Sequence, residues 1–282
     1  MNKLAPELVR EKIDSVDSLP TIPSVVKKMC AIVESPNTSA QDLGNLISRD
    51  QVLSAKVLKL VNSPFYGFSG RISTITHAIV LLGFNVVKGI VLSASVFDIM
   101  EQTFKGLWKH SLGTSVVAQY LAKRYGIAEP EEVSVAGLLH DLGKVAINTV
   151  FPKYFESILD YQQKNNSYLF ESERNVLGVD HAVIGSWLAK HWNLPLSLQE
   201  PIKYHHFPHR SQFTKKQTSI VFLSDMLVKA LGFGTSGDNN LVQSIPPFVL
   251  KVLDIKNFEQ ELGEILPDIK EILDEAMDFS LV

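Results

Sequence analysis

The second half of the chain carries seven histidine and aspartate side chains that could bind metal. They are His110, His140, Asp141, His181, His205, His206 and Asp225. Each lies in a stretch whose pattern predicts a helix, so several helices could bring ring nitrogens and carboxylate oxygens to one point. Imidazole and carboxylate groups suit divalent transition metals such as Zn, Mn, Fe or Ni, and a carboxylate beside a histidine can bridge two ions. The residue types and their spacing therefore predict a metal site.

Each of these residues has a simpler interpretation when it is taken alone. A single buried histidine is more often a hydrogen-bonded core residue than a ligand, and an isolated aspartate is usually a helix cap or a surface carboxylate. We keep the simpler interpretation for His77, His191 and His209. Only the combination of all seven residues favours a metal site.

Two divalent ions held at such a site would be suited to phosphate chemistry. Ions about 3.5–4 Å apart can generate a hydroxide and clamp both ends of a phosphate displacement. Lys144 follows His140 by one helical turn, and we predict that it holds an anionic oxygen of the substrate. Without the neighbouring ligands, Lys144 would be an ordinary solvated lysine.

The sequence predicts an all-helical chain, because helix signals are dense and strand signals are few. A helix over residues 107–125 has His110 on its apolar face, so His110 is predicted to point inward. A second helix opens near Pro130 and is predicted to continue through His140 and Lys144, with both side chains on one side.

Three further predicted helices carry the remaining candidate ligands. Asp180 is a good N-cap for a helix that opens at His181. Pro201 suits the first turn of a short helix that carries the adjacent histidine pair before Pro208 ends it. Asp225 lies in a helix predicted over residues 220–231.

The first half of the chain is also predicted to be helical, from its apolar periodicity and its capping residues. Helices are expected over residues 4–16 and 24–33, and the segment that begins at Ser39 resembles a capping box. Asp50 is expected to cap the next helix. Two later helices are expected to meet at Gly83, a residue suited to a left-handed cap.

Composition excludes several classes of protein. The chain of 282 residues is 45% hydrophobic and can bury a sizeable core, and its net charge of -3 with no large basic cluster argues against a nucleic-acid partner. Its single cysteine, Cys30, cannot form an intramolecular disulfide. The most apolar stretch, residues 78–96, is interrupted by Asn85 and Lys88, and the N-terminus lacks the pattern of a signal peptide. We expect a cytoplasmic protein with no membrane partner.

Several motifs carry a resemblance to a known family. The sequence LLHDLGK at residues 138–144, with its flanking histidines and aspartate, resembles the HD superfamily of metal-dependent phosphohydrolases. The segments LPTIPSVV, the run from Asp50 through VLKLVNSPFYG, and ITHAIVLLGFNVVKGIVLSASV are similar to the HDOD branch of that superfamily. The resemblance spans about Leu19 to Asp225. It implies an all-α, multi-helix HD-type bundle with an additional N-terminal helical subdomain, and a role in bacterial signalling.

The resemblance also implies how the candidate ligands divide between two divalent transition metal ions. The first ion would be held by His110, His140, Asp141 and Asp225. Asp141 would bridge it to a second ion, which would be held by His181, His205 and His206. The chain has the same order of ligands as the HD-GYP relatives, which hydrolyse cyclic dinucleotides. On this interpretation Asp141 and Lys144 are the catalytic residues.

Two departures from the HD-GYP pattern limit what the resemblance implies. Residues 207–213 read FPHRSQF where HD-GYP proteins have a Gly-Tyr-Pro loop, which argues against activity on cyclic dinucleotides. Gly106 stands where trinuclear relatives carry a glutamate, and Glu101 lies too far back along the chain to share the face of His110. A binuclear centre is therefore expected.

The division of the chain follows from the same resemblance. Residues 1–105 are predicted to form the N-terminal helical subdomain, residues 106–232 the HD-like metal-binding subdomain, and residues 233–282 a C-terminal helical extension. The extension contains an acidic amphipathic run from Phe258 to Met277, and we identify no chemistry anywhere in the extension.

Two functional hypotheses from different classes remain. The first is a binuclear metallohydrolase that acts on a phosphorylated small molecule or nucleotide. The second is a catalytically silent regulatory module that keeps its metals for stability or sensing and acts through signalling protein partners. A purely structural role for the seven residues is a third possibility.

Overall fold

The computed structural model describes residues 3–15, 29, 39–63, 66, 70–238 and 242–277. Every regular element within these ranges is a helix, so the all-helical prediction is confirmed. The helix predicted over residues 24–33 and most of the predicted loop over 65–70 lie outside the described residues.

The described residues form a series of α-helices, most of them joined by short connections. In chain order they are α1 (Pro6–Ser15), α2 (Ala40–Ile47), α3 (Gln51–Val61), α4 (Ile75–Leu82), α5 (Phe84–Thr103), α6 (Leu107–Arg124), α7 (Pro130–Leu139), α8 (Leu142–Val150), α9 (Pro152–Asn165), α10 (Leu169–Val176), α11 (His181–His191), α12 (Leu196–Tyr204), α13 (Lys215–Ala230), α14 (Pro247–Val252) and α15 (Phe258–Met277). A short 3₁₀ turn, Pro208–Arg210, follows α12.

Side-chain caps fix the starts of the helices in the first half. The Ser39 hydroxyl accepts a hydrogen bond from the Asp42 amide and the Asp42 carboxylate accepts one from the Ser39 amide, both at 3.1 Å, which confirms the predicted capping box. Asp50 accepts a hydrogen bond from the Leu53 amide at 3.0 Å, as predicted. Helices α4 and α5 meet at Gly83, whose φ of 83° and ψ of 162° lie outside the predicted left-handed helical region but still require glycine.

Helix α6 lies at the centre of the bundle, with α5, α7, α13 and α15 packed against it. The approach of α7 is close at Gly137, where a Cβ atom would lie 3.0 Å from the carbonyl oxygen of Thr114 in α6. A single hydrophobic core extends from Val9 in α1 to Ala276 in α15. Helix α1 packs on α11 and α8, so the start of the described chain lies against the second half of the molecule.

The acidic run predicted near the C-terminus is helix α15, as expected. It is fixed to α6 by polar contacts as well as by apolar packing. Arg124 forms ion pairs with Glu261 at 2.8 Å and Glu264 at 2.7 Å, and the Tyr120 hydroxyl donates to Asp268 at 2.6 Å. These contacts attach α15 firmly to the helix that carries His110.

Two helix boundaries differ from the prediction. The helix expected to run from Pro130 through His140 is two helices, because α7 ends at Leu139 and α8 begins at Leu142. Neighbouring residues of one straight helix point about 100° apart, so the break allows His140 and the following aspartate to face the same point. Pro201 does not open a helix but lies inside α12, which begins after Pro195 and ends before the histidine pair.

Candidate metal centre

The structure brings all seven predicted ligands together in the interior of the second half. His110 lies in α6, His181 is the first residue of α11 and Asp225 lies within α13. The other ligands occupy short turns, His140 and Asp141 between α7 and α8 and the histidine pair directly after α12. None of the seven side chains is more than 3% exposed.

The first half of the cluster contains His110, His140 and Asp225. The Nε2 atom of His110 lies 2.9 Å from Oδ1 of Asp225, and Nε2 of His140 lies 3.6 Å from the same oxygen. These three ligand atoms lie within 4.8 Å of one another, which is the separation expected for ligands of one ion.

The second half of the cluster is formed by three histidines. Nε2 of His181 lies 2.9 Å from Nε2 of His206 and 3.3 Å from Nε2 of His205. Three imidazole nitrogens that face one another at these distances form a set of nitrogen ligands on one side of a common point.

Asp141 lies between the two halves and presents one carboxylate oxygen to each. Its Oδ2 atom lies 3.3 Å from Nε2 of His140 and 3.8 Å from Nε2 of His110. Its Oδ1 atom lies 3.3 Å from Nε2 of His181 and 3.8 Å from Nε2 of His205. This is the arrangement in which a single carboxylate can bridge two ions.

Oxygen acceptors fix the tautomer of four of the five histidines. Nδ1 of His140 donates to the carbonyl of Gly137 at 2.6 Å, and Nδ1 of His205 donates to the carbonyl of Ile202 at 2.8 Å. Nδ1 of His181 and of His206 likewise face the oxygens of Glu173 and Gln243, at 2.7 Å and 3.1 Å. Because the proton of each neutral ring is then on Nδ1, the lone pair on Nε2 points into the cluster.

Several polar atoms at the centre of the cluster are buried without a hydrogen-bond partner among the described residues. They are Nε2 of His110, Nε2 of His140, Oδ1 of Asp141 and Oδ1 of Asp225. Nε2 of His110 and Oδ1 of Asp225 are among these atoms although they lie 2.9 Å apart. Buried polar atoms of native proteins are nearly always paired, so four unpaired atoms that face one another fit a site whose partner is a cation.

The electrostatics of the cluster differ between its histidines. Burial lowers the pKa of His205 well below its usual range, and the positive charges that His140 and His181 can carry lower it further. Burial also opposes the charged form of His140, but the carboxylates of Asp141 and Asp225 outweigh it and raise the pKa of His140 to about 9. Positive charge is therefore favoured at His140 and disfavoured at His205.

Two lysines pair with the two aspartates, Lys144 fully buried and Lys229 9% exposed. Burial alone would raise the pKa of Asp225, but Lys229, whose Nζ atom lies 2.9 Å from Oδ2, contributes to holding it well below its ordinary value. Lys229 also pairs with Asp238 at 2.8 Å. Lys144 is fully buried and donates at 2.7 Å both to Oδ2 of Asp141 and to the carbonyl of Ser236. Lys144 is thus next to the cluster, as predicted, with its ammonium engaged by protein oxygens.

Local sequence explains how His181 reaches the cluster. The Asp180 side chain accepts a hydrogen bond from the Val183 amide at 2.9 Å, which confirms Asp180 as the N-cap of α11 and places His181 at the helix start. Gly143 in α8 allows the close approach, because a Cβ atom there would overlap the carbonyl oxygen of His181. One oxygen of Glu173 accepts hydrogen bonds from both the backbone amide and Nδ1 of His181, each at 2.7 Å.

Sequence reasoning missed the supporting residues Glu173, Lys229, Asp238 and Gln243. Lys229 follows Asp225 by four residues, so helical spacing could have found it. Glu173 and Gln243 carry no signal in the sequence, because only the fold brings them to the histidines. The segment after α13 was assigned no chemistry, yet its Ser236 carbonyl, Asp238 and Gln243 all contact residues of the cluster or their lysine partners.

The two residues considered for a third ion, Glu101 and Gly106, both take part in the start of α6. Glu101 accepts hydrogen bonds from the amides of Gly106 and Trp108, at 3.1 Å and 3.2 Å, and so caps the start of α6. Gly106 has a left-handed backbone with φ of 93° and offers no side chain. His77, His191 and His209 belong to none of the described clusters with metal-ligand spacing.

Comparisons with known proteins agree with this fold. The family model of the HDOD domain matches residues 19–208. An HDOD domain protein of unknown function from Geobacter sulfurreducens is 27% identical, with a TM-score of 0.69 over 97% of this chain and 98% of the other. A Shewanella amazonensis protein named "Putative phosphohydrolase" shares the fold at 21% identity, with a TM-score of 0.64 over 95% and 97% of the two chains.

A curated sequence relative is longer than this chain. An uncharacterized protein of Treponema pallidum is 29% identical over 252 residues, which cover 88% of this chain and 48% of the relative. The chain therefore spans about half the length of this relative. Among the described residues, no helix is both long enough and apolar enough to cross a bilayer.

Proposed function

The chain belongs to the HDOD domain family, and we propose that it is a metal-dependent phosphohydrolase with a binuclear centre. The observation that carries the proposal is the position of Asp141, whose two carboxylate oxygens each lie 3.3 Å from a histidine of a different half of the cluster. A carboxylate shared in this way is suited to bridging two divalent ions. A role in bacterial signalling within the cytoplasm, and the division at residues 105 and 232, are parts of the same proposal.

The proposed centre uses every buried donor of the cluster. One divalent transition metal ion, Fe, Mn, Ni or Zn, would be held by His110, His140 and Asp225, and a second by His181, His205 and His206, with Asp141 shared. When bound, such a pair of ions activates water and stabilises the charge of a phosphate in displacement. The oxygen contacts of the Nδ1 atoms keep the histidine lone pairs directed at the ions.

Lys144 is proposed to act first through Asp141. Its ammonium donates to Oδ2 of that carboxylate at 2.7 Å and so fixes the plane of the bridging group. The role predicted from sequence, in which Lys144 holds an anionic oxygen of the substrate, requires the ammonium to exchange its contact with the Ser236 carbonyl for the substrate. We propose both roles for Lys144, the contact with Asp141 first and the contact with the substrate second.

Aromatic and cationic groups beside His206 suit an anionic substrate such as a phosphorylated small molecule or a nucleotide. The His206 ring stacks on Phe170 with centroids 4.5 Å apart, and Phe207 lies edge-on to Phe170 at 5.5 Å. The Arg210 guanidinium lies 4.9 Å from the centroid of Phe207. Guanidinium groups bind phosphate through charge-assisted hydrogen bonds.

Cyclic dinucleotide hydrolysis is not part of the proposal. The segment that stands in place of the Gly-Tyr-Pro loop forms a 3₁₀ turn, and Ser211 and Thr214 at its end donate to the buried carboxylate of Glu200. The segment is therefore engaged in a structural contact of its own.

The closure of the cluster favours a second candidate function. Since no candidate ligand is more than 3% exposed, a substrate can reach the ions only after the surrounding segments move. A regulatory module that holds metal for stability or sensing, and acts through protein partners, needs no such access. This second candidate predicts full metal content without turnover.

Metal content and turnover measured on the same preparation separate the two candidates. Protein purified without chelator and loaded with Mn or Fe is screened against phosphomonoesters, phosphodiesters and nucleotides, with Asp141→Ala as the control. We expect about two ions per chain and a turnover that Asp141→Ala loses. Two ions without turnover of any substrate would favour the regulatory module, and protein that binds no metal would contradict both.

A further inference from the structure

A second candidate site lies outside the metal cluster, in a cleft of about 360 Å³ between α1, α11, α12 and the segment after the 3₁₀ turn. None of the seven candidate ligands lines it. Its walls combine cationic, aromatic and amide side chains: Arg10, Lys190, Lys203, Trp187, Tyr204 and Gln199. We propose that this cleft binds a nucleoside phosphate, with its phosphate on the lysines and its base on the aromatic rings.

Two of the three cations of the cleft are available to an anion, whereas Arg10 pairs with Asp14 at 3.4 Å. Lys190 and Lys203 are both exposed, and no carboxylate of the described residues lies within ion-pair distance of either. Lys203 lies 4.9 Å from the centroid of the Tyr204 ring, and the Arg10 guanidinium lies 5.9 Å from that of Trp187. Charge and π-faces therefore occur side by side, which is the pairing that a phosphate joined to a planar base requires.

The one carboxylate in the lining is held by hydrogen bonds from the protein. Glu200 accepts hydrogen bonds from the Ser211 hydroxyl at 2.7 Å and from the amides of Gln212, Phe213 and Thr214 at 3.2, 3.0 and 2.9 Å. These donors stabilise the negative charge of Glu200 and hold its carboxylate against the segment that follows the 3₁₀ turn. Three cationic side chains, those of Arg10, Lys190 and Lys203, outnumber this one carboxylate, so the lining is net positive.

The same hydrogen bonds hold an aromatic side chain at the rim of the cleft. Phe213 is 74% exposed, although its backbone amide is fixed by Glu200. Leu196, which also lines the cleft, is 52% exposed. A large apolar side chain on a fixed backbone, next to unpaired cations, provides a preorganised stacking surface at little ordering cost.

The size and lining of the cleft favour a small planar anion over a peptide. A volume of about 360 Å³ is at the lower end of small-molecule pockets, which suits one nucleotide. Among the described residues there is no strand to which an extended peptide could add, and a lining rich in cations does not suit the apolar face of a helix.

Fluorescence titration of the full chain in the presence of EDTA tests the proposal without a contribution from metal. Trp187 is the tryptophan of the cleft, whereas Trp108 and Trp192 are only 5% and 6% exposed, so a stacked base should quench mainly Trp187. The probes are ADP, GDP and inorganic pyrophosphate. We expect ADP or GDP to bind with a Kd below about 1 mM, and pyrophosphate at least about tenfold more weakly, because it lacks the base.

Paired variants locate the binding. Lys190→Ala with Lys203→Ala should weaken nucleotide binding at least about tenfold, and Phe213→Ala should weaken it by a smaller factor. The matched control, Lys153→Ala with Lys164→Ala, removes two exposed lysines from α9 and should leave the Kd unchanged. The proposal is overturned if neither nucleotide binds, if the cleft variant binds as tightly as the control, or if pyrophosphate binds as tightly as ADP.

Discussion

Two regions of this molecule bury carboxylates, and they satisfy them in opposite ways. Glu200 is 7% exposed and receives hydrogen bonds from hydroxyl and amide donors of the segment that follows the 3₁₀ turn. In the proposed metal cluster, Asp141 and Asp225 are at most 2% exposed, and each has an oxygen without a hydrogen bond among the described residues. Both oxygens of Glu200 therefore accept hydrogen bonds from the protein, whereas Oδ1 of Asp141 and Oδ1 of Asp225 accept none among the described residues.

The difference in hydrogen bonding indicates different roles for Glu200 and for the two aspartates. A buried charge without partners is strongly unfavourable, and neutral donors can remove most of that cost. Glu200 has such donors, so its role is to fix the segment around it. Each aspartate pairs with a lysine through Oδ2, but its Oδ1 atom faces imidazole nitrogens, which repel a carboxylate unless a proton or a cation lies between them. The two proposed ions would resolve this conflict for all seven side chains at once.

The largest expected effect is the loss of metal from Asp141→Ala. Because both halves of the cluster share this carboxylate, the variant should lose most of both ions, and affinity should fall by at least about 100-fold. His181→Ala is the matched comparison and should keep the ion at His110, His140 and Asp225. Metal stoichiometry by mass spectrometry measures both. A fully loaded Asp141→Ala protein would exclude the bridge.

Removal of the Glu200 carboxylate should have the next largest effect, on stability rather than on metal. Glu200→Ala leaves several buried donors unpaired, and we expect the free energy of unfolding to fall by about 3 kcal/mol. Urea denaturation of the metal-free proteins measures the change. Metal content should stay at the wild-type value, and loss of both ions would show that the two regions are not separate.

A smaller effect is expected at Glu173, which belongs to the cluster without being a proposed ligand. Glu173→Gln should weaken the ion at His181 by about 10–100-fold, because the histidine loses its charged acceptor, while the other ion is retained. Competition with a chelator measures the two affinities. Glu156→Gln, an exposed substitution in α9, is the control. Equal loss of both ions would contradict the assigned halves.

The smallest expected effect is a change with pH in the stability that the Glu200 carboxylate contributes. Despite burial, the hydrogen bonds from Ser211 and the following amides lower the pKa of Glu200 below its ordinary value of 4.5. A lowered pKa in the folded state means that the carboxylate stabilises the fold above pH 4.5 and loses that contribution as the pH falls through its folded pKa. The stability difference between metal-free wild type and Glu200→Gln should therefore be constant from about pH 7 to 5 and shrink below about pH 4.5. Urea melts at each pH test this, and a difference that grows on acidification would contradict it.

The sequence was sufficient to predict most of the helices, their caps and the seven residues of the cluster. Capping residues such as Asp50 and Asp180 act within one turn, so they can be recognised locally. The break between α7 and α8 could not be predicted from the sequence, because residues 131–150 contain no proline or other strong stop signal at that point. Helix α8 packs against α11, and this contact exists only in the folded molecule. Glu173 and Glu200 likewise gain their roles only from tertiary contacts with residues 8 and 11 to 14 positions away.

Anomalous diffraction at the metal edge, from crystals of protein loaded with a single divalent metal, tests the central claim most directly. We predict two peaks, one beside His110, His140 and Asp225 and one beside His181, His205 and His206, with Asp141 between them. No peak within this ring, one peak alone at full loading, or three peaks at full occupancy would contradict a binuclear centre bridged by Asp141.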